Sequence, residues 1–454
     1  MHTSDLLIKN TLVLLPDLSV LEDAAIGIKD SRIAFIKPMS DLDKSATAAE
    51  ILDGSGKVAM PGMVDGHTHA AQQLLRGSVI DELPMVWTRI LVPFESNLTP
   101  ELVYAGAMLF CIENLKAGTT TFADAGGPFM ASVARAAEET GIRAAIARST
   151  MDSGALIPDG MKESTADAVK GTEKLYQEWH GKGDGRIQIW FSLRQAMTCT
   201  PALAQAVSDA ARQYNTGVHI HLAEHLAEVA HCLTNYQMRP AEWFDSFGLL
   251  GPHLLAAHSV RLSDEEVLLM SERKANVIHC PHSNLGNHGF SKTPLMLALG
   301  VNVGLATDGV AGTRLNLFEP MRMLKFAMQA RHGIDINDPV AMPALETLKM
   351  ATQGGARALM LQDQIGKLET GMKADIILLD VEKPHLSPTA HLPKTIATAA
   401  GPDDVTDVIV DGRLLIRDKE FLHLDEDKIR RAAGAAMLEI GKKADLELGS
   451  PYMN

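Results

Sequence analysis

Alternating apolar and polar residues occupy several short stretches of the first 60 positions. Examples are residues 5–9, 25–29 and 33–36, which are separated by Gly, Asp and Ser. Alternation with a period of two, bounded by turn-forming residues, predicts β-strands. We therefore expect residues 1–60 to form the N-terminal part of a small β domain.

A different pattern extends from residue 61 to residue 364. Apolar, strand-like runs alternate here with segments of helical periodicity, such as 101–116 and 201–214. The eight predicted strands are 63–67, 119–124, 143–149, 187–193, 217–222, 254–258, 276–280 and 302–307. Strands that alternate with helices pair in parallel, and eight such units predict an α/β protein with a (β/α)8 TIM barrel.

Strand-like patterns return between residues 365 and 424, at 366–368, 374–379 and 406–410. Because they resemble the N-terminal pattern, we expect both chain ends to build one small composite β-sandwich domain beside the barrel. The last segment, 425–454, is amphipathic and charged, which predicts a C-terminal helix.

The composition is that of a globular protein, with 454 residues, of which 46% are hydrophobic and 22% charged. A net charge of −14 argues against nucleic acid or an anionic membrane as a partner. The 4 cysteines form no CxxC pair, so the sequence indicates neither a disulfide framework nor a cysteine-type zinc site. With no visible signal peptide and no membrane-length apolar run, we expect a cytoplasmic protein.

Histidine and aspartate residues stand where the predicted barrel strands end. His67 and His69 close the first strand and project to the same side, because alternate residues of a strand share a face. His221, His258 and Asp308 end the fifth, sixth and eighth strands. Barrel enzymes carry their sites at this end of the strands. Three of these four imidazoles together with the carboxylate suit zinc or ferrous iron with a position left for water, so the pattern predicts one divalent metal.

The segment after the fifth strand allows two interpretations. Residues 221–225 match the H-x-x-E-H pattern of inverted zinc proteases, which requires both histidines on one helix. His221 instead follows a β-type run, so we interpret His225 as a loop residue and Glu224 as a carboxylate that reaches the barrel mouth. His219 shares a strand face with His221 but lies deeper, where we expect it to fill a core layer.

Five further residues are weaker candidates for substrate binding. Trp87 and Glu95 lie in the long segment after the first strand, a natural lid over the mouth. Arg148 and Arg194 lie at the ends of the third and fourth strands, where an arginine can hold an acidic or carbonyl-bearing substrate, or only a neighbouring carboxylate. His288 lies in the loop after the seventh strand, where it can form a hydrogen bond with the polar edge of a substrate ring.

Longer motifs extend over nearly the whole chain. They are PGMVDGHTH (61–69), QLLRG (73–77), AGTTT (117–121), HIHLAE (219–224), AHSV (257–260), HCPHSNL (279–285), TDG (307–309) and GMKADI (371–376). Together they resemble the amidohydrolase superfamily, in particular its aminohydrolases that act on nitrogen heterocycles. That branch includes cytosine and guanine deaminases, methylthioadenosine/S-adenosylhomocysteine deaminases and s-triazine hydrolases.

The resemblance implies one divalent metal, zinc or alternatively iron, held by four side chains: His67, His69, His221 and Asp308. It implies Glu224 as the proton shuttle, His258 as the group that orients the water or polarises the substrate, and Asp308 as acceptor of the water's proton. It further implies a homodimer or larger homo-oligomer. The implied reaction is hydrolytic deamination of a small purine, pyrimidine, pterin or triazine.

Two segments differ from the adenosine-type deaminases of this branch, although Trp87, Glu95 and Arg148 fall where those enzymes keep substrate contacts. The fourth strand ends in SLRQA (192–196) instead of a Gly-Pro-His-Ser stretch, and the loop 309–314 lacks the usual Ala-Ser-Asn run. The alternative within the fold is therefore hydrolysis of a cyclic amide or of a non-amino substituent on a triazine ring. A metal-free binding scaffold is the alternative from another class, and the intact ligand set argues against it.

Overall fold

The structure is a computed structural model, and it describes residues 4–43, 45–82, 86–154, 157–158, 161–309 and 314–446. The N-terminal strands are β1 (Ser4–Leu14), β2 (Val20–Lys29), β3 (Arg32–Pro38), β4 (Ala48–Asp53) and β5 (Lys57–Pro61). β1 extends beyond the predicted residues 5–9. Its register shifts between Ile8 and Thr11, where Asn10 adopts a φ of 57°, and this bulge interrupts the alternation on which the prediction depends.

Nine parallel strand segments follow. They are β6 (Met63–Thr68), β7 (Thr119–Asp124), β8 (Arg143–Ile146), β9 (Ile187–Ile189), β10 (Phe191–Leu193), β11 (Val218–Leu222), β12 (Leu254–His258), β13 (Asn276–His279) and β14 (Asn302–Leu305). They form a four-stranded sheet in the order β6-β7-β8-β9 and a five-stranded sheet in the order β10-β11-β12-β13-β14. The predicted parallel α/β arrangement is therefore confirmed.

Backbone hydrogen bonds join the two parallel sheets at both edges. β9 and β10 make up the single predicted strand 187–193 and are divided only at Trp190, whose N–H donates to the Ile146 carbonyl at 2.9 Å. At the other edge, the Asp308 N–H donates to the His67 carbonyl at 3.1 Å. The carboxyl ends of the strands therefore face one common region.

Helices connect the parallel strands and follow them. The α-helices are Val92–Ser96, Pro100–Lys116, Met130–Thr140, Thr165–Trp179, Pro201–Tyr214, Leu226–Tyr236, Pro240–Asp245, Asp264–Glu272, Pro281–Ser283, Thr293–Ala298, Phe318–Met328, Ala344–Lys349, Gly355–Ala358, Leu392–Ala399 and Glu426–Ala444. Thr99, Thr200 and Ser263 each accept a backbone N–H three residues later, which fixes the starts of three of these helices. Of the described helices, none is both long and apolar enough to cross a bilayer.

The C-terminal strands are β15 (Ile376–Asp380), β16 (Val405–Val410), β17 (Arg413–Arg417) and β18 (Glu420–Phe421). They join the N-terminal strands in one nine-stranded sheet, in the order β18-β17-β16-β15-β5-β1-β2-β3, with β4 also paired to β1. The predicted strand at 366–368 is wrong. Gly366 there has a φ of 89°, which belongs to a turn. Residues 447–454 of the predicted C-terminal helix lie outside the described residues.

A buried apolar cluster includes Val64, Leu255 and Ile278 from three of the parallel strands. Gly66 lies against this cluster, one residue before His67. A Cβ at position 66 would lie 2.5 Å from the Ile278 Cδ1 atom. A larger residue would therefore displace either the Ile278 side chain or the strand that carries His67.

Buried ion pairs connect the parallel strands to the nine-stranded sheet. Arg143, the first residue of β8, donates two hydrogen bonds to the Asp375 carboxylate at 2.9 and 3.0 Å and lies 3.5 Å from Asp411. Lys373 also pairs with Asp411, at 2.7 Å. Arg143 begins its strand, whereas His67 lies near the carboxyl end of β6. The ion-pair network is therefore at the amino ends of the strands, away from His67. We assign it a structural role.

Candidate metal centre

The carboxyl ends of the parallel strands bring four predicted ligands together. His67 lies in β6 and His69 directly follows it, His221 lies in β11, and Asp308 follows β14. The His69 and His221 Nε2 atoms are 3.3 Å apart, and the Asp308 Oδ1 atom lies 3.1 Å from His67 Nε2 and 3.7 Å from His69 Nε2. All four side chains are buried.

This donor set fits one divalent cation. Two atoms bound to a tetrahedral zinc at about 2.1 Å lie about 3.4 Å apart, close to the distances above. Burial lowers the pKa of His67, His69 and His221, so these imidazoles are neutral, as metal ligands must be. Burial alone would raise the pKa of Asp308, but the charge of His258 and the adjacent His67 ring hold it well below its usual range. The Nε2 atom of His67 is buried without a hydrogen-bond partner among the described residues.

Glu224 and His258 face each other beside this cluster. The Glu224 Oε1 atom is 3.7 Å from His258 Nε2 and 2.9 Å from His288 Nε2. Burial would raise the pKa of Glu224, but the His258 charge and the His288 hydrogen bond hold it well below its usual range. Burial would lower the pKa of His258, but Glu224 and Asp308 raise it. The arrangement therefore favours an ionised glutamate beside a protonated histidine.

Asn284 holds His258 in place. Its Oδ1 atom lies 2.9 Å from His258 Nδ1, and its Nδ2 atom lies 2.8 Å from His279 Nδ1. Because an amide oxygen only accepts, the His258 Nδ1 atom carries a proton and the Nε2 atom faces Glu224. No spacing rule in the sequence places Asn284 against a residue 26 positions earlier.

His219 and Cys280 lie behind the cluster. The His219 Nε2 atom is 2.7 Å from His67 Nδ1, so His219 is buried, as expected, but it also fixes the ring of a predicted ligand. In the sequence, the only indication of the His219–His67 contact was that His219 shares a strand face with His221, a predicted ligand. The Cys280 sulfur lies within 4.8 Å of ring nitrogens of His67 and His258. Burial raises the pKa of the Cys280 thiol well above its usual range, so it remains protonated and is a poor metal ligand.

Arg194 and Trp87 line the same region. Arg194 directly follows β10, and its carbonyl accepts the His221 N–H at 3.4 Å, so the two residues are neighbours in register and their side chains share a face. The Arg194 guanidinium is 5.8 Å from the Trp87 ring centroid. Its side chain makes no ion pair with a carboxylate of the described residues, and the buried Nη1 atom has no hydrogen-bond partner among them.

Glu95 is buried and accepts a hydrogen bond from Gln72 Nε2 at 2.6 Å. Burial raises the pKa of Glu95, against the opposing effect of Arg194. Arg148, in contrast, is not brought to the cluster. Its guanidinium donates to Glu163 at 2.8 Å and to a carbonyl of the helix Thr165–Trp179. Its proposed contact with substrate stays a prediction that this geometry does not support.

Two loops bear on expectations from the sequence, one that follows β11 and one that follows β14. His221 lies in β11, and His225 precedes the helix Leu226–Tyr236, so the H-x-x-E-H segment does not lie on one helix. The His225 ring stacks on His288 with centroids 6.0 Å apart. Most of the loop 309–314 that distinguishes this sequence from adenosine-type deaminases, namely 310–313, lies outside the described residues.

Parallel β/α units with a histidine–aspartate cluster at the carboxyl ends of the strands are typical of metal-dependent hydrolases. The chain matches the model of the amidohydrolase family over residues 58–415 and belongs to this family. The resemblance of its motifs is thereby confirmed.

Related proteins cover nearly the whole chain. A 5-methylthioadenosine/S-adenosylhomocysteine deaminase from Pelotomaculum thermopropionicum is 37% identical over 429 residues, which is 94% of this chain and 95% of the relative. A 5'-deoxyadenosine deaminase from Methanosarcina mazei is 37% identical over 96% of this chain and 98% of the relative. The structure of an adenosine deaminase from Xanthomonas campestris with bound zinc has a TM-score of 0.90, at 30% identity over 97% of this chain and 99% of that one.

Proposed function

We propose that this protein is a metal-dependent aminohydrolase that deaminates an amino-substituted nitrogen heterocycle of the purine, pyrimidine, pterin or triazine type. The observation that carries the proposal is the convergence of three neutral imidazoles and one ionised carboxylate beside the Glu224–His258 pair. The deaminase names of relatives 37% identical to this chain support the same reaction class.

His67, His69, His221 and Asp308 hold the metal in this proposal. We propose zinc, with iron as the alternative, because imidazole and carboxylate ligands suit both ions. When bound, the divalent cation lowers the pKa of a water molecule towards about 7 and so supplies hydroxide at neutral pH.

The protein side chains then move the protons of the reaction. Asp308, ionised in the site, takes a proton from the attacking water. Glu224, ionised beforehand, accepts the other proton of the water and delivers it to the ring nitrogen next to the reacting carbon. Asp308 passes its proton to the amino group, which departs as ammonia. His258 donates a hydrogen bond from Nε2 towards the negative charge that develops during attack. The net change replaces a ring amino group by an oxo group and consumes one water molecule.

We assign the substrate contacts to four side chains around the cluster. Arg194 donates from Nη1 to an oxygen of the substrate, because this buried atom has no acceptor among the described residues and an unpaired buried polar group is costly. Trp87 offers an aromatic face to a planar ring. The His288 Nε2 atom lies 2.9 Å from the Glu224 carboxylate and holds it in place. The Glu95 carboxylate offers a further polar group to the substrate.

We extend the proposal to the architecture. The hydrogen bonds at both edges support closure of the two parallel sheets into one eight-stranded barrel, and the nine-stranded sheet folds into a β-sandwich. The proposed division is 1–60 and 365–424 for the composite β domain, 61–364 for the barrel and 425–454 for the C-terminal helix. The family resemblance supports a cytoplasmic homodimer or larger homo-oligomer, with a small heterocycle as its partner.

The test is an ammonia-release screen with metal-replete protein. The panel contains aminopurines and their nucleosides, aminopyrimidines, pterins and triazines, with cyclic amides as a comparison class. We expect ammonia from at least one heterocycle, and Glu224→Gln serves as the matched control because it changes one carboxylate to an amide of the same size. Turnover of a cyclic amide without ammonia from any heterocycle would contradict the proposal. Less than about half an equivalent of metal per chain would favour the binding scaffold.

A further inference from the structure

A second buried glutamate lies behind the loop that carries Glu224. Glu228 stands in the first turn of the helix Leu226–Tyr236, and its side chain is fully buried. Its Oε2 atom accepts the backbone N–H of Glu224 at 3.1 Å. In a capping box, a glutamate at this position accepts the N–H of the residue at the helix cap, here His225. Glu228 instead binds the N–H of Glu224, the residue before His225, and so contacts the loop and not the helix cap.

The loop needs such a restraint. Ala223, directly before Glu224, has a φ of 46°, a left-handed conformation that a residue with a Cβ adopts only when its surroundings fix it. Two hydrogen bonds flank this turn: the Glu224 N–H donates to Glu228, and the Arg261 N–H donates to the Ala223 carbonyl at 2.8 Å. The turn directs the Glu224 carboxylate towards His288.

The surroundings of Glu228 favour its neutral form. The titratable groups that face it are Glu224 in the loop and Cys232 in its own helix, while Ala196, in a segment packed against that helix, presents a backbone amide. Burial, and less strongly the Glu224 charge, raise the pKa of Glu228 to about 8 against the opposing hydrogen bonds from backbone amides. A neutral acid accepts the Glu224 N–H without placing a second negative charge beside the ionised Glu224.

We propose that Glu228 is a positioning residue, which accepts the Glu224 backbone N–H as a neutral group and so holds the Glu224 carboxylate at the reacting ring. The inference rests on the proposed function only in taking Glu224 as the proton-transferring group. It requires two properties of residue 228: a side chain long enough to reach the loop, and an uncharged acceptor oxygen. Glutamine has both, whereas aspartate is one methylene too short.

The experiment compares Glu228→Gln and Glu228→Asp in the full-length, metal-loaded protein. Glu266→Asp is the matched control. Glu266 is equally buried in the first turn of another helix, but it accepts hydrogen bonds from Ala241 and Arg239, which lie outside the site. The readouts are metal content, kcat and KM for ammonia release, and hydrogen exchange of the peptide that spans residues 222–228.

We expect Glu228→Asp to lower kcat by about 100-fold, the usual effect of a misplaced catalytic group, with KM and metal content nearly unchanged. Its Glu224 amide should exchange faster than in the wild type. Glu228→Gln should keep wild-type kcat and exchange, and Glu266→Asp should lower only thermal stability.

Wild-type kcat and wild-type exchange in Glu228→Asp would overturn the inference. Equal loss of kcat in Glu228→Gln and Glu228→Asp would overturn it as well, because glutamine keeps both required properties. If the wild type releases no ammonia from any heterocycle, the proposed function fails, but hydrogen exchange still decides the inference. Faster exchange at Glu224 in Glu228→Asp alone supports the positioning role, and unchanged exchange refutes it.

Discussion

Replacing Asn284 by alanine should weaken catalysis without releasing the metal. The Asn284 Oδ1 atom accepts a hydrogen bond from His258 Nδ1 at 2.9 Å, and both side chains are buried. A hydrogen bond to a charged group contributes about 1.5–3 kcal/mol. Its loss disfavours protonated His258 by that amount, which corresponds to roughly 10- to 150-fold at about 1.4 kcal/mol per tenfold. We expect kcat/KM to fall by this factor.

The assay is steady-state ammonia release between about pH 5 and 9, on protein whose metal content has been measured. Burial lowers the pKa of His258, whereas Glu224, Asp308 and Asn284 raise it. The limb of the pH profile that reports His258 should therefore move to lower pH in Asn284→Ala.

Asn276→Ala is the matched control for this prediction. Asn276 begins β13, and its amide donates to two backbone carbonyls at 3.0 Å, far from the carboxyl ends of the strands. The control should lose stability but keep kcat/KM. If Asn284→Ala retains both the wild-type kcat/KM and the wild-type pH profile, the reasoning about His258 is refuted.

Four other substitutions test separate parts of the molecule. His67→Ala should no longer bind stoichiometric metal in elemental analysis, and full loading would contradict its assignment as a ligand. Glu224→Gln should keep the metal but lose about 10²–10⁴-fold in kcat, and a fully active variant would disprove the proton shuttle. Arg143→Met leaves Asp375 buried without its bidentate partner, so the free energy of unfolding measured in urea should fall by about 3–5 kcal/mol; an unchanged value would show that the pair contributes nothing. Because the pKa of Glu228 rises from 4.5 to about 8 on folding, its stabilising effect relative to Glu228→Gln should be fully present below pH 4.5 and lost as pH rises through about 8; a difference independent of pH would contradict this.

Much of the fold and of the metal cluster could be predicted from local patterns. The alternation of strands and helices predicted the parallel α/β arrangement, because strands separated by helices return in the same direction. His67 and His69 were expected to share a face because strand side chains alternate. His221, His258 and Asp308 were expected near them because the carboxyl ends of parallel strands open to one side. The structure places all five together.

Other features had no local signature. The strand at 366–368 was wrong because a buried apolar residue after glycine suits a packed turn as well as a strand. Glu95 was expected only as a candidate substrate contact, and nothing local predicted that it would be buried against Gln72. His219 and Asn284 look like ordinary core and loop residues until the strands that carry their partners lie beside them.

Arg148 and Arg194 show that the sequence alone does not determine which arginine at a strand end lies beside the metal cluster. Both lie at the ends of predicted strands, and their sequence contexts do not separate them. β8 ends at Ile146, so Arg148 lies beyond the sheet and pairs with Glu163, whereas Arg194 directly follows β10 in register with His221. The sequence determines which residues stand at strand ends, since periodicity is local. Only the tertiary structure decides which side chains meet, because a side chain's direction depends on the register of neighbouring strands and on the turns that hold the loops.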